Sequence, residues 1–74
     1  QSHDVAMAYN MQGHSYGQLG EHKNAIVNFT KAIQLDPDYA LAYQNRAWAH
    51  YYLGQYTNQK ADEAMACSLD SQYC

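Results

Sequence analysis

Histidine and cysteine are the side chains of this sequence that most often hold metals or act in catalysis. No two of its histidines are three or four residues apart, the spacing that places two ligands on one face of a helix. The four are His3, His14, His22 and His50. Neither cysteine lies near enough in sequence to complete a zinc-finger pattern. We therefore expect no metal site, although a pair formed in space by His14 and His50 stays open.

Other catalytic patterns give no support for an enzyme. Gly13 to Gly17 match G-x-S-x-G in their letters, but they lie in a segment predicted to be helical, whereas that motif works on a strand-to-helix turn. The sequence contains no glycine-rich phosphate loop and no recognisable pair of catalytic carboxylates. We therefore expect a protein that is not an enzyme and that uses no cofactor.

The charge of the chain limits the partners that it can bind. Four basic and seven acidic residues give a net charge of −3, and the basic residues are scattered along the 74 residues. Nucleic acids and anionic membranes attract clustered Lys and Arg instead. No apolar run approaches the roughly 18–20 residues of a membrane span, and no signal peptide is visible. We therefore expect neither nucleic acid nor a membrane as a partner.

The elements that would position any site recur at a period of 34 residues. From Ala6 onward, ten residues are identical to the residue 34 positions later, as Gly20 is to Gly54. A fixed period of this length indicates one supersecondary unit that stacks on its own copy. We therefore interpret the chain as a single domain, residues 1–74, with repeats at about 6–39 and 40–73.

Hydrophobic spacing predicts four helices, at about residues 4–19, 22–35, 39–53 and 56–69. Apolar residues of the second predicted helix share one face; they are Ala25, Ile26, Phe29, Ala32 and Ile33. The predicted connections are only two to four residues long, which makes neighbouring helices antiparallel. The predicted fold class is therefore all-α, with antiparallel helix-turn-helix repeats.

Helix ends are expected at residues that satisfy unpaired backbone groups. Ser2 or Asp4 is predicted to cap the first helix, and Asp38 the third. Gly20 and Gly54 are predicted to end the first and third helices in the left-handed conformation.

The two cysteines, Cys67 and Cys74, are seven residues apart. If one helix ran through both, their Cα atoms would be about 10 Å apart, which is beyond the reach of a disulfide. We therefore expect Cys67 to be a small core residue and Cys74 to be a free thiol. Free thiols favour a reduced, cytoplasmic location.

Together these features resemble the tetratricopeptide repeat (TPR) family, whose pattern is W-x2-L-G-x2-Y, then A-x3-F, then P. The first repeat matches several positions of that pattern: Tyr9, Gly13, Tyr16, Ala25, Phe29 and Pro37. In such a repeat, the small residues Gly13 and Ala25 are expected where the paired helices approach closely, with Phe29 filling the space beside them. The resemblance implies an α-solenoid of two repeats.

The second repeat departs from this pattern in its second helix. Gln59, Lys60 and Glu63 stand at positions that are apolar in the first repeat, and burying them unpaired would cost about several kcal/mol in total. Two interpretations stay open. In one, the helix is a solvated end cap with a rotated inward stripe, formed by Ala61, Ala64, Met65 and Leu69. In the other, the helix is loosely packed, frayed or displaced.

The resemblance also implies a concave groove that binds an extended peptide and is lined by the first helix of each repeat. The implied lining from the first repeat is Met7, Asn10, His14, Gly17 and Gln18. The second repeat supplies Leu41, Gln44, Asn45, Trp48, Tyr51 and Tyr52. Of these, the expected partner-binding residues are Asn10, His14, Leu41, Gln44, Asn45, Trp48, Tyr51 and Tyr52.

The aromatic residues of this set are rigid anchors of the kind that dominate binding energy. The alternative is that Trp48, Tyr51 and Tyr52 only pack on a neighbouring repeat or on another subunit. One TPR subclass holds the terminal carboxylate of chaperone tails with Lys, Arg and Asn side chains. Only Asn45 matches that set, so we do not expect carboxylate binding, which needs the missing cations.

The predicted function is therefore a protein–protein interaction module that binds a peptide or partner segment in the groove. The alternative is a structural unit that forms a homo-oligomer through the open end of the solenoid. That association would bury Tyr43, Tyr51 and Tyr73.

Overall fold

The computed structural model describes residues 2–74, which form four α-helices and a short 3₁₀ turn. The helices are α1 (Ser2–Gln18), α2 (His22–Leu35), α3 (Ala40–Tyr52) and α4 (Tyr56–Leu69), and the turn is Ser71–Tyr73. The helices α1 and α2 pack along each other, as do α3 and α4, and α2 also packs on α3. The predicted all-α fold of four helices in antiparallel pairs is confirmed.

Glycine ends the first helix of each pair. Gly20 and Gly54 have φ angles of 79° and 74°, in the left-handed region. Glycine adopts this region without strain because it has no Cβ. The chain can therefore reverse within three residues between α1 and α2, and again between α3 and α4.

The predicted side-chain caps of α1 and α3 are wrong. Ser2 and Asp4 both lie inside α1, and α3 follows Tyr39, which makes no side-chain cap hydrogen bond. Asp38 is held in the preceding turn instead, where its backbone N–H donates to Asp36 Oδ1 at 3.3 Å. The turn therefore uses the first aspartate as its acceptor, and the second has no capping role.

The core is built mainly from alanine, which lets the helix axes approach closely. The alanines with no exposed surface are Ala6, Ala25, Ala32, Ala42 and Ala66. The Phe29 ring packs with Ala25 and Ala49 and lies against Gly13, where a Cβ would be only 2.6 Å from Phe29 Cε1. The expected close approach of α1 and α2 at Gly13 is therefore confirmed.

The rotated stripe predicted for α4 is wrong, because all four of its residues are exposed: Ala61, Ala64, Met65 and Leu69. The helix is continuous from Tyr56 to Leu69, so it is not frayed within these bounds either. Its inward residues are buried or half-buried and keep the register of α2; they are Gln59, Asp62, Glu63, Ala66 and Cys67. Asp62 is tolerated there because it is paired with Arg46, as described below.

The prediction of two free cysteines is also wrong, because Cys67 and Cys74 form a disulfide. The separation of about 10 Å assumed a continuous helix, but α4 ends at Leu69 and Asp70 is extended. The 3₁₀ turn then brings the two Cα atoms to 4.6 Å. The cytoplasmic expectation therefore loses its support from free thiols. Among residues 2–74, no helix has the length and apolarity that crossing a membrane requires.

Candidate partner-binding site

A cleft of about 520 Å³ opens between α1, the start of α2 and α3; we call it the central cleft. Side chains and backbone from all three helices line it: His14, Gly17, Gln18, Gly20, His22, Ala25, Phe29, Asn45, Trp48, Ala49 and Tyr52. None of these is Asp, Glu, Lys or Arg. The cleft is therefore suited to an uncharged segment more than to a carboxylate or a phosphate.

Three exposed aromatic residues stand beside this cleft; we call Trp48, Tyr51 and Tyr52 the aromatic ledge. Their exposed fractions are 55%, 48% and 58%. Trp48 stacks on Tyr52 with ring centroids 6.0 Å apart, and Tyr51 meets Tyr52 edge-on at 5.4 Å. His22 also stacks on Tyr52, with ring centroids 4.6 Å apart. The rings therefore hold one another in place while about half of their surface faces outward.

A smaller hollow of about 230 Å³ lies between α3 and α4; we call it the α3–α4 hollow. It is lined by Gln44, Trp48, Tyr51, Gln59 and Glu63. Trp48 lines both the hollow and the central cleft. A segment that crosses Trp48 could therefore contact both.

The structure divides the predicted binding residues into three groups. His14, Asn45, Trp48 and Tyr52 line the central cleft, together with the groove residues Gly17 and Gln18. Gln44 and Tyr51 line the α3–α4 hollow, together with Trp48. Asn10, Leu41 and Met7 line neither of them.

Asn10 is 6% exposed, and hydrogen bonds within the chain use both ends of its amide. Its Oδ1 accepts from Asn45 Nδ2 at 3.0 Å, and its Nδ2 donates to Tyr39 Oη at 3.3 Å. Burial raises the pKa of the Tyr39 phenol, and the hydrogen bond from Asn10 opposes part of that effect. The amide therefore joins α1 to α3 and to the residue that precedes α3, and it acts as a positioning group beneath the groove.

An ion pair between α3 and α4 was not foreseen from the sequence. Arg46 donates from Nε and Nη2 to the two oxygens of Asp62 at 2.8 and 2.7 Å, and Asp62 is only 5% exposed. The hydrogen bonds to Asp62 raise the pKa of the Arg46 guanidinium, and they outweigh the opposing effect of burial. Thr30 Oγ1 accepts a further hydrogen bond from Arg46 at 3.3 Å. An Arg on α3 and an Asp on the helix that packs against it were the sequence signal that could have predicted this ion pair.

His50 completes this polar group from the α3 side. Its Nε2 lies 3.5 Å from Asp62 Oδ2, and its Nδ1 is hydrogen-bonded to Gln55 Oε1 at 2.7 Å. It is therefore a buried residue whose ring nitrogens face Asp62 and Gln55, whereas His14 lines the central cleft. Within residues 2–74, no three His, Cys, Asp or Glu side chains are grouped to hold a metal ion.

Two antiparallel helix pairs with a shared open cleft define a helical-repeat protein that presents a surface. The tetratricopeptide repeat profile matches residues 6–39, and a second profile of the same description matches residues 28–67. The chain belongs to the tetratricopeptide repeat family.

Similar proteins come from animals, yeast and bacteria. Tetratricopeptide repeat protein 4 of Bos taurus is 34% identical over 70 residues, covering 89% of this chain and 18% of that protein. The small glutamine-rich tetratricopeptide repeat-containing protein 2 of Saccharomyces cerevisiae is 36% identical over 63 residues, covering 85% and 18%. Protein FlbA of Caulobacter vibrioides is 34% identical over 59 residues, covering 80% and 10%. The chain therefore spans less than a fifth of the length of these relatives.

Proposed function

We propose that this chain binds an extended segment of a partner protein across the central cleft and the aromatic ledge. The carrying observation is that Trp48 and Tyr52 are more than half exposed while lining a cleft of about 520 Å³. Large aromatic side chains supply much binding energy for little conformational entropy. A lining without Asp, Glu, Lys or Arg favours an apolar or amide-rich segment, and the function requires no catalytic group or cofactor.

The polar side chains around the ledge can orient a bound peptide through hydrogen bonds. Gln18 and His14 carry hydrogen-bonding side chains at the edge of the cleft, where a peptide backbone needs donors and acceptors. Asn45 is fixed by its hydrogen bond to Asn10. The binding surface is therefore largely formed before the partner arrives, which lowers the entropy cost of binding.

Selection from a random peptide library, displayed on phage and captured on the immobilised chain, tests this function. Peptides that bind the wild type should lose about tenfold or more in affinity for the Trp48→Ala/Tyr52→Ala variant, since hot-spot aromatics contribute that much. A Met11→Ala/Leu19→Ala variant is the matched control, because these side chains are 66% and 72% exposed and lie outside the cleft. Equal capture by both variants would show that the cleft is not the binding site.

A second candidate is self-association of the repeat unit. One face of α1 and the turn after it expose apolar side chains, of which Met11 and Leu19 are the most exposed. Tyr51 on α3 and Tyr56 on α4 are also exposed. Different surfaces at two ends favour head-to-tail contact between copies. Tyr43 cannot contribute to such an interface, because packing within the chain leaves only 8% of it exposed.

Molecular mass by light scattering over a range of concentrations tests this candidate. Head-to-tail association predicts that the mass of the wild type rises with concentration. The Met11→Ala/Leu19→Ala variant should show a smaller rise over the same concentrations. A constant monomer mass would exclude it and leave peptide binding as the proposal.

A further inference from the structure

We propose that the α3–α4 hollow binds an arginine side chain of the partner protein. This inference deepens the proposed function, since Trp48 is shared between the hollow and the central cleft. Three features of the hollow support it: an unpaired carboxylate, an unsatisfied carbonyl oxygen and two aromatic walls.

The carboxylate is that of Glu63. Within residues 2–74, the ion pairs involve Asp36 and Asp62, so Glu63 has no cation within 4.0 Å. One of its oxygens accepts a hydrogen bond from Gln59 Nε2 at 3.1 Å. The other oxygen and the remaining lone pairs are open to a donor. A half-buried carboxylate without a cation attracts one, and the net charge of −3 of the chain adds to that attraction.

The carbonyl oxygen is Gln44 Oε1, which is buried and has no hydrogen-bond partner among residues 2–74. Buried acceptors are normally paired, and one left unpaired destabilises the unliganded state. Gln44 lines the hollow on the α3 side, and Glu63 lines it on the α4 side. Rotation of the Gln44 amide toward the hollow would let a bound donor satisfy this oxygen. The hollow therefore offers the Glu63 carboxylate directly and Gln44 Oε1 after that rotation, and a guanidinium, which carries only donors, can bind to both.

The aromatic walls distinguish between the two cationic side chains. The Trp48 and Tyr51 rings meet nearly at right angles, at 80°, with centroids 6.5 Å apart. A guanidinium is planar, stacks on aromatic faces and carries five N–H donors, whereas an ammonium is compact and more strongly hydrated. The volume of about 230 Å³ is several times the roughly 30 Å³ share of one water. Arginine therefore fits the hollow better than lysine.

The guanidinium must come from outside these 74 residues. Arg46 is the one arginine of the sequence, and both oxygens of Asp62 already hold it. A second copy of these residues therefore has no free arginine to insert. The occupant that the chemistry selects is an arginine within the partner segment that crosses Trp48.

Nuclear magnetic resonance of the ¹⁵N-labelled chain tests the site with two small probes. These are N-acetyl-arginine methylamide and its uncharged isostere N-acetyl-citrulline methylamide. The chain has a single tryptophan, so its indole N–H gives one resolved signal. We expect the arginine probe to shift this signal and the Gln44 side-chain amide signals in a saturable way. The citrulline probe should shift them much less.

The Glu63→Gln variant should lose most of the preference for arginine, with affinity reduced about tenfold, because the charge-assisted hydrogen bond is lost. Glu21→Gln is the matched control, since Glu21 is exposed and lies outside the hollow. Equal shifts from both probes, unchanged affinity in Glu63→Gln, or no saturable shift up to about 20 mM probe would each overturn the proposal.

Failure here is distinguishable from failure of the proposed function. If the selected peptides lack arginine but need Trp48 and Tyr52 for binding, binding in the central cleft is supported and the arginine site is contradicted. If the selected peptides bind equally well without both aromatic side chains, the proposed function is contradicted. The probe titration tests the α3–α4 hollow independently of either result.

Discussion

At the scale of single residues, Gly13 and Gly17 occupy the same helix but different surroundings. A Cβ at Gly13 would lie 2.6 Å from Phe29 Cε1, whereas a Cβ at Gly17 would meet nothing within 4 Å. Gly13→Ala should therefore lower the free energy of unfolding by about 1–3 kcal/mol, because the packed ring must move. Gly17→Ala should raise it by up to about 1 kcal/mol, because alanine favours the helix.

Urea unfolding of the two variants measures both effects. Because each change adds the same methyl group to α1, the pair separates packing from helix propensity. If both substitutions raised stability, Phe29 could not be packed as closely against α1 as the structure has it.

Tyr39 gives a prediction on pH dependence. Burial favours its neutral phenol, so its pKa in the folded state lies above the ordinary value of 10.0. The stability linked to this group is present below pH 10 and is lost as the pH rises through the folded pKa. Phenolate absorbance during alkaline titration should show a late component that Tyr39→Phe removes. The control Tyr56→Phe should keep that component. Superimposable curves for the two variants would contradict the burial of Tyr39.

Part of the candidate site could be predicted from the family resemblance, which placed Trp48 and Tyr52 in one groove. The two are four residues apart on α3, a spacing that puts them on one helix face, and both line the central cleft. The fate of Asn10 was not predictable. Its hydrogen-bond partners Tyr39 and Asn45 are 29 and 35 residues away in the sequence. No local pattern shows which amide will be hydrogen-bonded within the chain and which will face a partner.

At the scale of elements, an ion pair positions α4, whereas apolar packing positions α2. Asp62 faces α3 from a nearly buried position and is paired with Arg46 and approached by His50. Asp62→Asn should lower the free energy of unfolding by about 3 kcal/mol, because it leaves a partly buried guanidinium without its anion. Chemical denaturation measures this loss, which is a large share of the stability of a small domain.

Two further variants complete that test. Asp38→Asn changes an exposed carboxylate, so it should alter stability by no more than about 0.5 kcal/mol. The double variant Arg46→Met/Asp62→Leu should recover most of the loss, because apolar residues can replace a buried ion pair. If Asp62→Asn were as harmless as Asp38→Asn, the ion pair would not fix α4.

The helix bounds were predictable, since glycine, proline and apolar spacing are local signals. The inward face of α4 was not, because apolar periodicity favoured Ala61, Ala64, Met65 and Leu69, all of which are exposed. Pairing across the helix hairpin overrode that pattern. The Cys67–Cys74 disulfide was missed for a related reason: it depends on where α4 ends and on the turn that follows.

At the scale of the whole molecule, two repeats form a thin body with principal extents of 33 × 26 × 17 Å. Its α1 face and its aromatic ledge both expose apolar side chains. The α1 face has one recess of about 520 Å³, lined by Met11 and Leu19 among others. The ledge differs in lying between two recesses, the central cleft and the α3–α4 hollow, and the hollow carries the Glu63 carboxylate. This combination is the reason to assign partner recognition to the ledge.

The most direct test is a ¹⁵N-resolved map of where a selected peptide lies on the labelled chain. Binding across the ledge predicts the largest shifts at the Trp48 indole and at the backbone amides of Gly17, Asn45 and Tyr52. The Trp48→Ala/Tyr52→Ala variant should abolish the shifts while the helical circular dichroism is retained. Shifts confined to the α1 face around Met11 and Leu19, with the Trp48 indole signal unmoved, would contradict binding in the cleft.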